Sequence, residues 1–371
     1  MKYLAVLGRQ PEISIAELEA TNFCTDTSRL GGTMKLAEEI GSSPLEFLKN
    51  LPEGKITLGV SDYSKNASQR TAVNEALKLK KILVRHGRSV RVVENKDATL
   101  STATSLHNGL SGKNPRKVEL IKVENEWFRV IGVQDIEAYA RRDQARPARD
   151  AKVGMLPPKL AQILINLCGP LPKGATILDP FCGTGVVLQE ALLMGYRAYG
   201  TDISERMVEY ANKNLNWFVS SLSRSRPSLR GSLETAPRWS QCSETNQFQV
   251  LVGDATSFTW EQPIDAVACE GYLGRPFSKI PTEIELKEQK QECGAILRGF
   301  LKNLALQVKS ETPVVVAAPA WLRENGDYSR LDIIDEIEDM GYNVNNKTRE
   351  GLLYRREGQV VARDILILRK K

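Results

Sequence analysis

Asp179-Pro-Phe-Cys-Gly-Thr-Gly185 stands between two apolar runs of different character. Before it, Ala175-Thr-Ile-Leu178 is short and β-branched, which predicts a strand buried in a parallel sheet. After it, Val186 to Met194 predicts a helix. A tight glycine turn between strand and helix lets backbone approach a ligand closely and aims helical N–H groups at it. The carboxylate of Asp179 at the strand end would repel a phosphate. It suits a ligand that carries hydroxyls and an ammonium or sulfonium charge. The next strand, Arg197 to Thr201, ends in Asp202, about 20 residues on, where such folds place an acid for ribose hydroxyls. The plain alternative is a structural turn in an ordinary α/β protein.

Working outward, strand and helix alternate on both sides of this loop. The expected elements are 175–179, 184–195, 197–201, 204–217, 248–252, 264–269, 282–309, 313–318 and 328–340. This is the pattern of a doubly wound, mostly parallel α/β sheet of Rossmann-like type. Tyr342 to Lys347 and Gln359 to Leu368 read as two closing strands with a turn at Arg356-Glu-Gly358. Asp179, Asp202, Asp254 and Glu270 all fall at strand ends, so four acids should converge on one rim, where ligands of such sheets bind. Residues 219–247 break the rhythm with a Ser- and Arg-rich polar run, expected to be a mobile surface insertion. Pro157 and Pro158 suit the first turn of a helix that runs to Cys168.

The N-terminal third is different. Residues 2–8 read as a strand, Ser14-Ile-Ala-Glu17 as a capping box that starts a helix, and Pro44 to Lys49 as a short helix. Lys55 to Val60 is an expected strand, and Asn66 to His86 a helix closed by Gly87. Lys117 to Val123 and Trp127 to Val133 should form a hairpin. Between residues 61 and 122, 13 Lys and Arg face 5 Asp and Glu, a net +8, while the whole chain of 371 residues carries +6. A segregated basic module is the footprint of nucleic-acid binding; a solvated helix face is the alternative. Gln134 to Lys152 is a charged connector. The six cysteines form no CxxC pair and the two histidines stand alone, so no metal site is expected, and scattered thiols suit the cytoplasm. No apolar run approaches the length of a membrane span, and the N-terminal one is too short for a signal peptide.

The glycine loop resembles the S-adenosylmethionine (SAM) loop of class I methyltransferases that modify exocyclic amines. More closely, the chain resembles the THUMP-domain tRNA guanosine-N2 methyltransferases of archaea and eukaryotes. Gly8-Arg-Gln-Pro-Glu12, Gly31-Gly-Thr33, Arg142-Asp143 with Arg146-Pro147, Gly154-Met-Leu-Pro-Pro-Lys159 and Tyr354-Arg-Arg-Glu-Gly-Gln359 share the family's look and order. The resemblance implies a ferredoxin-like α+β region over 1–50 and a THUMP-like RNA-binding domain over 51–133. A linker over 134–152 and a SAM-dependent methyltransferase domain over 153–371 would follow. It implies that Asp179, Phe181 and the Gly183 and Gly185 backbone hold the methionine part of SAM. Asp202 would take the ribose hydroxyls and Asp254 the adenine amine, while Pro157 and Lys159 cap the cofactor.

The reaction site should be Ala268-Cys-Glu-Gly-Tyr-Leu-Gly274. The family places (Asp or Asn)-Pro-Pro-Tyr there: a side-chain acceptor and a backbone carbonyl bind the amine hydrogens, and the aromatic stacks on the base. Here Glu270, Gly271 and Tyr272 stand in a motif one residue shorter and without prolines. The implied activity is N2-methylguanosine formation in tRNA, with Lys80, Arg85 and Arg88 on the RNA, and in some relatives a small activating subunit. A SAM- and tRNA-binding homologue without turnover and a DNA amino-methyltransferase are the other readings.

Overall fold

The computed structural model describes residues 2–150, 156–224 and 247–371. The polar stretch expected as a mobile insertion lies mostly outside them, as do Gly154 and Met155. The chain divides into two compact units, one of residues 1–11 and 24–139, the other of residues 12–23 and 140–371.

The first unit holds β1 (Tyr3–Leu7), β2 (Thr33–Gly41), β3 (Ile56–Asp62), β4 (Val90–Val92), β5 (Lys117–Val123) and β6 (Glu126–Val133) in one sheet of order β1-β2-β6-β5-β3-β4. The expected regions 1–50 and 51–133 therefore share a sheet, because β2 pairs antiparallel with β6. The hairpin β5–β6 turns through Glu124, whose φ is +52°. Between the strands lie α1 (Pro11–Ala20), α2 (Pro44–Lys49), α3 (Gln69–Arg85) and α4 (Thr102–His107). Helix α3 starts later than its apolar pattern suggested, because Ser68 caps it in a reciprocal box with Thr71. Its buried positions Ala72, Ala76, Leu79 and Leu83 recur at helical spacing.

Under the sheet lies a closed polar network. Lys35 Nζ donates to Glu119 Oε1 at 2.5 Å and to the Leu100 carbonyl at 2.7 Å. Ser61 and Ser105 donate to the two oxygens of Glu119 at 2.7 and 2.6 Å. Burial pushes the Lys35 ammonium below its ordinary value, and Glu119 opposes that shift.

Most of α1 belongs to the second unit. Ser14 lies inside this helix and is buried, so the expected capping box is not its start. Pro11 takes the first turn instead, where a missing N–H costs nothing. Glu17, fully buried, accepts from Asn166 at 2.8 Å, which ties α1 to α6 (Pro158–Leu167). The charged connector is itself helical, as α5 (Ile136–Gln144).

The sheet of the second unit comprises β7 (Thr176–Asp179), β8 (Arg197–Asp202), β9 (Phe248–Val252), β10 (Ala266–Glu270), β11 (Pro313–Leu322), β12 (Tyr328–Ser329), β13 (Tyr342–Val344), β14 (Leu353–Tyr354) and β15 (Val361–Lys370). Its main order is β13-β15-β11-β10-β7-β8-β9. Strands β9, β8, β7, β10 and β11 run parallel; β15 runs antiparallel between β11 and β13. This is the doubly wound, mostly parallel sheet that the alternation of strands and helices predicts. Besides α6, the unit's helices include α7 (Val186–Leu193), α8 (Glu205–Arg224), α9 (Glu283–Ala305), α10 (Ile334–Asp339) and α11 (Asn346–Glu350). Side chains of β10 and β11 alternate between two cores: Ala266, Ala268, Val315 and Ala317 face one, Val267, Cys269, Val314 and Val316 the other. A period of two in a continuous apolar run is what a strand covered on both faces requires.

Two boundaries differ from expectation. The helix expected over 328–340 is confined to α10, since Tyr328–Ser329 pairs with β11. The closing strands are not a simple hairpin: α11 and β14 intervene, and the 357–358 turn joins β14 to β15.

Replacing Lys35 by Met should cost about 3–5 kcal/mol, because it strands the Glu119 carboxylate in a dry interior. Lys35→Met combined with Glu119→Gln should recover a large part of that loss, measured by urea unfolding. Equal stabilities for the single and double variants would show that Glu119 finds another partner.

Candidate active site

The chain reverses its direction of sheet growth between β7 and β10, and a cavity of about 1060 Å³ opens beyond their carboxyl ends. Such a crevice is where open α/β sheets bind ligands. Asp179, Phe181, Gly183, Asp202, Asp254, Glu270, Gly271 and Tyr272 all line it. Pro157, Lys159 and Gly185 do not. Leu156 reaches the wall instead, and Pro157 caps α6. Gly185 opens α7 with φ +83°, and a Cβ there would meet Ala211 at 3.2 Å, so this glycine serves helix packing behind the loop.

Asp202 holds the loop together. Its Oδ2 accepts from Gly183 N at 2.8 Å and its Oδ1 from Ser204 N at 2.9 Å. Gly183 has φ +50°, a conformation that disfavours a Cβ. Asp179 is buried to 2% exposure, and its Oδ1 accepts from Phe181 N at 3.1 Å. Burial raises its carboxyl well above the ordinary value; the Phe181 N–H opposes this, while the charges of Asp202 and Glu270 add to it. Phe181 packs edge-to-face on Phe300 at 5.3 Å between centroids. Asp254 stands exposed on the rim, its Oδ1 accepting from Thr256 N and Oγ1 at 2.9 and 2.8 Å.

Glu270 ends β10. Its Oε1 accepts from Arg363 Nε at 2.8 Å, and the two side chains are 17% and 10% exposed. Arg363 Nη1 also donates to Gln359 Oε1 at 3.1 Å. The Gly271 amide bonds the Ala317 carbonyl at 3.0 Å, which ties the motif to β11. Tyr272 is 40% exposed. Its hydroxyl donates to Glu292 Oε1 at 3.0 Å, and burial and Glu292 both push its pKa up.

Sequence reasoning missed Arg363, Gln359 and Glu292. A signal for Arg363 was present: Arg363 and Asp364 are adjacent charges between the apolar pairs Val361-Ala362 and Ile365-Leu366, and buried charges require partners. Asp364 finds Arg330 at 2.7 Å and Arg363 finds Glu270. The connector also builds the wall. Arg146, its side chain fully covered, donates to Thr184 Oγ1 at 3.3 Å; Asn214 bonds the carbonyls of Ala148 and Thr184, each at 2.9 Å; Asp150 pairs with Arg206.

Lys80, Arg85 and Arg88 all belong to the first unit. Lys80 is half-buried and Arg85 exposed. Arg88 is engaged by its own fold: Nη1 donates to the carbonyls of Lys49 and Leu51 at 3.3 and 2.9 Å, and Nη2 to that of Pro52 at 2.7 Å. Among the described residues no cluster of His, Cys, Asp or Glu is placed to hold a metal ion, and no helix is long and apolar enough to cross a membrane.

Residues 146–270 match the family model described as an RMKL-like methyltransferase domain, so this stretch is a methyltransferase domain of that kind. A tRNA (guanine(10)-N2)-dimethyltransferase of Methanothermobacter thermautotrophicus is 29% identical over 48% of this chain and 44% of its own. One of Pyrococcus abyssi is 49% identical over 17% of this chain and 18% of its own. The matched stretches thus span less than half of these relatives. TrmN from Thermus thermophilus overlays 91% of this chain and 84% of its own at 18% identity and a TM-score of 0.44.

Asp179→Asn should raise thermal stability at neutral pH. In the parent the folded carboxyl holds its proton to higher pH than the unfolded one, whose value is near 3.8. Parent stability therefore falls as pH rises from that value to the raised folded value, and levels beyond it. The gap between variant and parent melting temperatures should widen across this window. A gap independent of pH would show that Asp179 does not titrate in it.

Proposed function

We propose that this chain, with its methyltransferase domain over 146–270, is a SAM-dependent enzyme that methylates the exocyclic N2 amine of guanosine in tRNA. The observation that carries the reading is the meeting of the Gly183 loop and Glu270-Gly271-Tyr272 in one cavity.

The residues present fit SAM. The lining is rich in acidic groups, Asp202, Asp254 and Glu270 beside the proton-holding Asp179, which suits a ligand with sulfonium and ammonium charges and ribose hydroxyls. The glycine turn offers backbone at close approach. Asp202 stays available only in part, since both oxygens already accept backbone N–H bonds. Each carboxylate oxygen has a second lone pair for a hydroxyl. When bound, SAM supplies a methyl carbon on a sulfonium, which leaves as a neutral thioether.

The protein's part is to place the amine. The lone pair of a base amine is delocalised into the ring and attacks poorly. Glu270 Oε2 and the Gly271 carbonyl would each accept one amine hydrogen, which favours the pyramidal nitrogen that can attack. The proton lost from nitrogen passes to Glu270 or solvent. Tyr272, held by Glu292, would stack on a base taken out of its helix. Orientation supplies much of the acceleration, because the methyl is already activated.

We assign tRNA recognition to the basic segment of the first unit, read as a THUMP-like domain. It is supported by the +8 balance between residues 61 and 122. A small activating subunit and cytoplasmic residence remain part of this reading. One observation favours the rival reading of a tRNA- and SAM-binding homologue without turnover: Arg363 already occupies one oxygen of Glu270.

Two measurements test the reading. Mass spectrometry of nucleosides from unmodified tRNA incubated with the protein and SAM should show N2-methylguanosine. SAM binding without any methylated nucleoside, also with a candidate subunit added, would select the rival. Charge reversal at Lys80 and Arg85 should weaken tRNA binding. The slope of log affinity against log salt should shrink by about two, since every cation on a phosphate displaces roughly one counterion. Arg88 is unsuited to this experiment, because its three carbonyl bonds hold the fold. An unchanged salt slope would show that the α3 face is merely solvated.

A further inference from the structure

We infer that Arg363 is the positioning residue for Glu270, and that it replaces from a distant strand the rigidity that the shortened motif has lost. The inference rests on the methyl-transfer reading above. A motif with two prolines fixes its own backbone, because proline fixes φ. Glu270-Gly271-Tyr272-Leu273-Gly274 has none, and its two glycines are the most permissive residues available. Glutamate also has one more rotatable bond than the aspartate or asparagine it stands for. An acceptor on such a segment would sample many directions.

Arg363 removes that freedom. It lies opposite Pro319 on β11, while Glu270 lies opposite Ala317 on the other edge of the same strand. Its side chain therefore crosses over β11 to reach Glu270 Oε1 at 2.8 Å. The guanidinium is anchored at its other end, by the Gln359 side chain at 3.1 Å and the Val361 carbonyl at 3.4 Å. Gln359, Val361, Arg363 and Glu270 all line the cavity. With Oε1 engaged, the carboxylate plane is set and Oε2 is the oxygen left to accept an amine hydrogen. The same ion pair that occupies half of the acceptor thus directs the other half. The turn before β15 becomes part of the site through Gln359.

The pair is nearly dry, so its geometry holds more firmly than that of an exposed ion pair. Arginine suits the task better than lysine, since its planar fork spans Glu270 and Gln359 together.

The test uses the full chain with tRNA and SAM. Arg363→Ala should slow single-turnover methylation by about 100-fold, the order expected when a reacting group drifts by about an ångström. SAM and tRNA affinities should change by less than about threefold, since an interaction made chiefly in the transition state leaves ground-state binding intact. Added guanidinium ion at tens of millimolar should restore part of the rate, and Arg363→Lys should fall between parent and Ala. A readout independent of turnover is the Arg363 Nε–H resonance. It should exchange slowly in the parent and be lost to rapid exchange in Glu270→Ala. Arg363→Ala methylating at the parent rate, while Glu270→Ala is inactive, would overturn the inference and leave the methyl-transfer reading standing. Loss of SAM binding in both Arg363→Ala and Arg363→Lys would make Arg363 a fold residue and overturn it too. A parent that transfers no methyl group, with its Nε–H resonance unprotected, would end both.

Discussion

The carboxylate of Asp202 accepts the amide of Gly183 on one oxygen and that of Ser204 on the other. Around it, the Cys182 amide bonds the Thr201 carbonyl at 2.9 Å and the Gly253 amide bonds the Asp202 carbonyl at 3.0 Å. The end of β8 therefore fixes the loop after β7, the start of α8 and the turn after β9 together. Charge-assisted bonds from backbone amides are among the stronger ones a protein makes. Without this knot the glycine loop would have no fixed shape, because its glycines impose none. The proposed cofactor site and the amine site beside it both inherit their positions from it.

A second constraint is electrostatic. Asp179, Asp202, Asp254 and Glu270 crowd one cavity, with Glu292 and Asp150 on its wall. Burial and its neighbours oblige Asp179 to keep its proton to unusually high pH, and Arg363 and Arg206 each pair with one of the others. Such a cavity attracts a cationic small molecule and repels a phosphate backbone. On the proposed reading, affinity for RNA must come from elsewhere in the chain, and the basic segment between residues 61 and 122 is the candidate. On that reading the division of labour follows from charge: one module would supply attraction to a polyanion, and the other would exclude all of it except a neutral base.

The connector turns out to be structural. Arg142 pairs with Glu190 at 2.7 Å, Arg146 reaches Thr184, and Asn214 fastens Ala148. Glu190 has no exposed side-chain surface, and burial raises its carboxyl while Arg142 opposes that. Removing either partner of such a pair costs more than the pair itself contributes. Residues of the charged connector are therefore bound into the wall behind the glycine loop. Its charge density marks a set of pairings.

The sequence by itself determined the doubly wound sheet, the glycine loop and the acids at the strand ends. Each rests on local signals: apolar runs of strand and helix length, glycines where backbone turns, and charges that end an apolar strand. Those signals act over a few residues and survive without knowledge of contacts. The same local view took Ser14 for a helix cap and Arg88 for an RNA-facing cation. Only the tertiary structure decided these. Pro11 starts α1, and Glu17 commits that helix to Asn166, 149 residues away. Arg88 meets carbonyls 36 to 39 residues earlier. Arg363 meets Glu270 across 93 residues and an intervening strand. A charge announces that it needs a partner, but which partner depends on strand order, and strand order is set by the packing of whole elements.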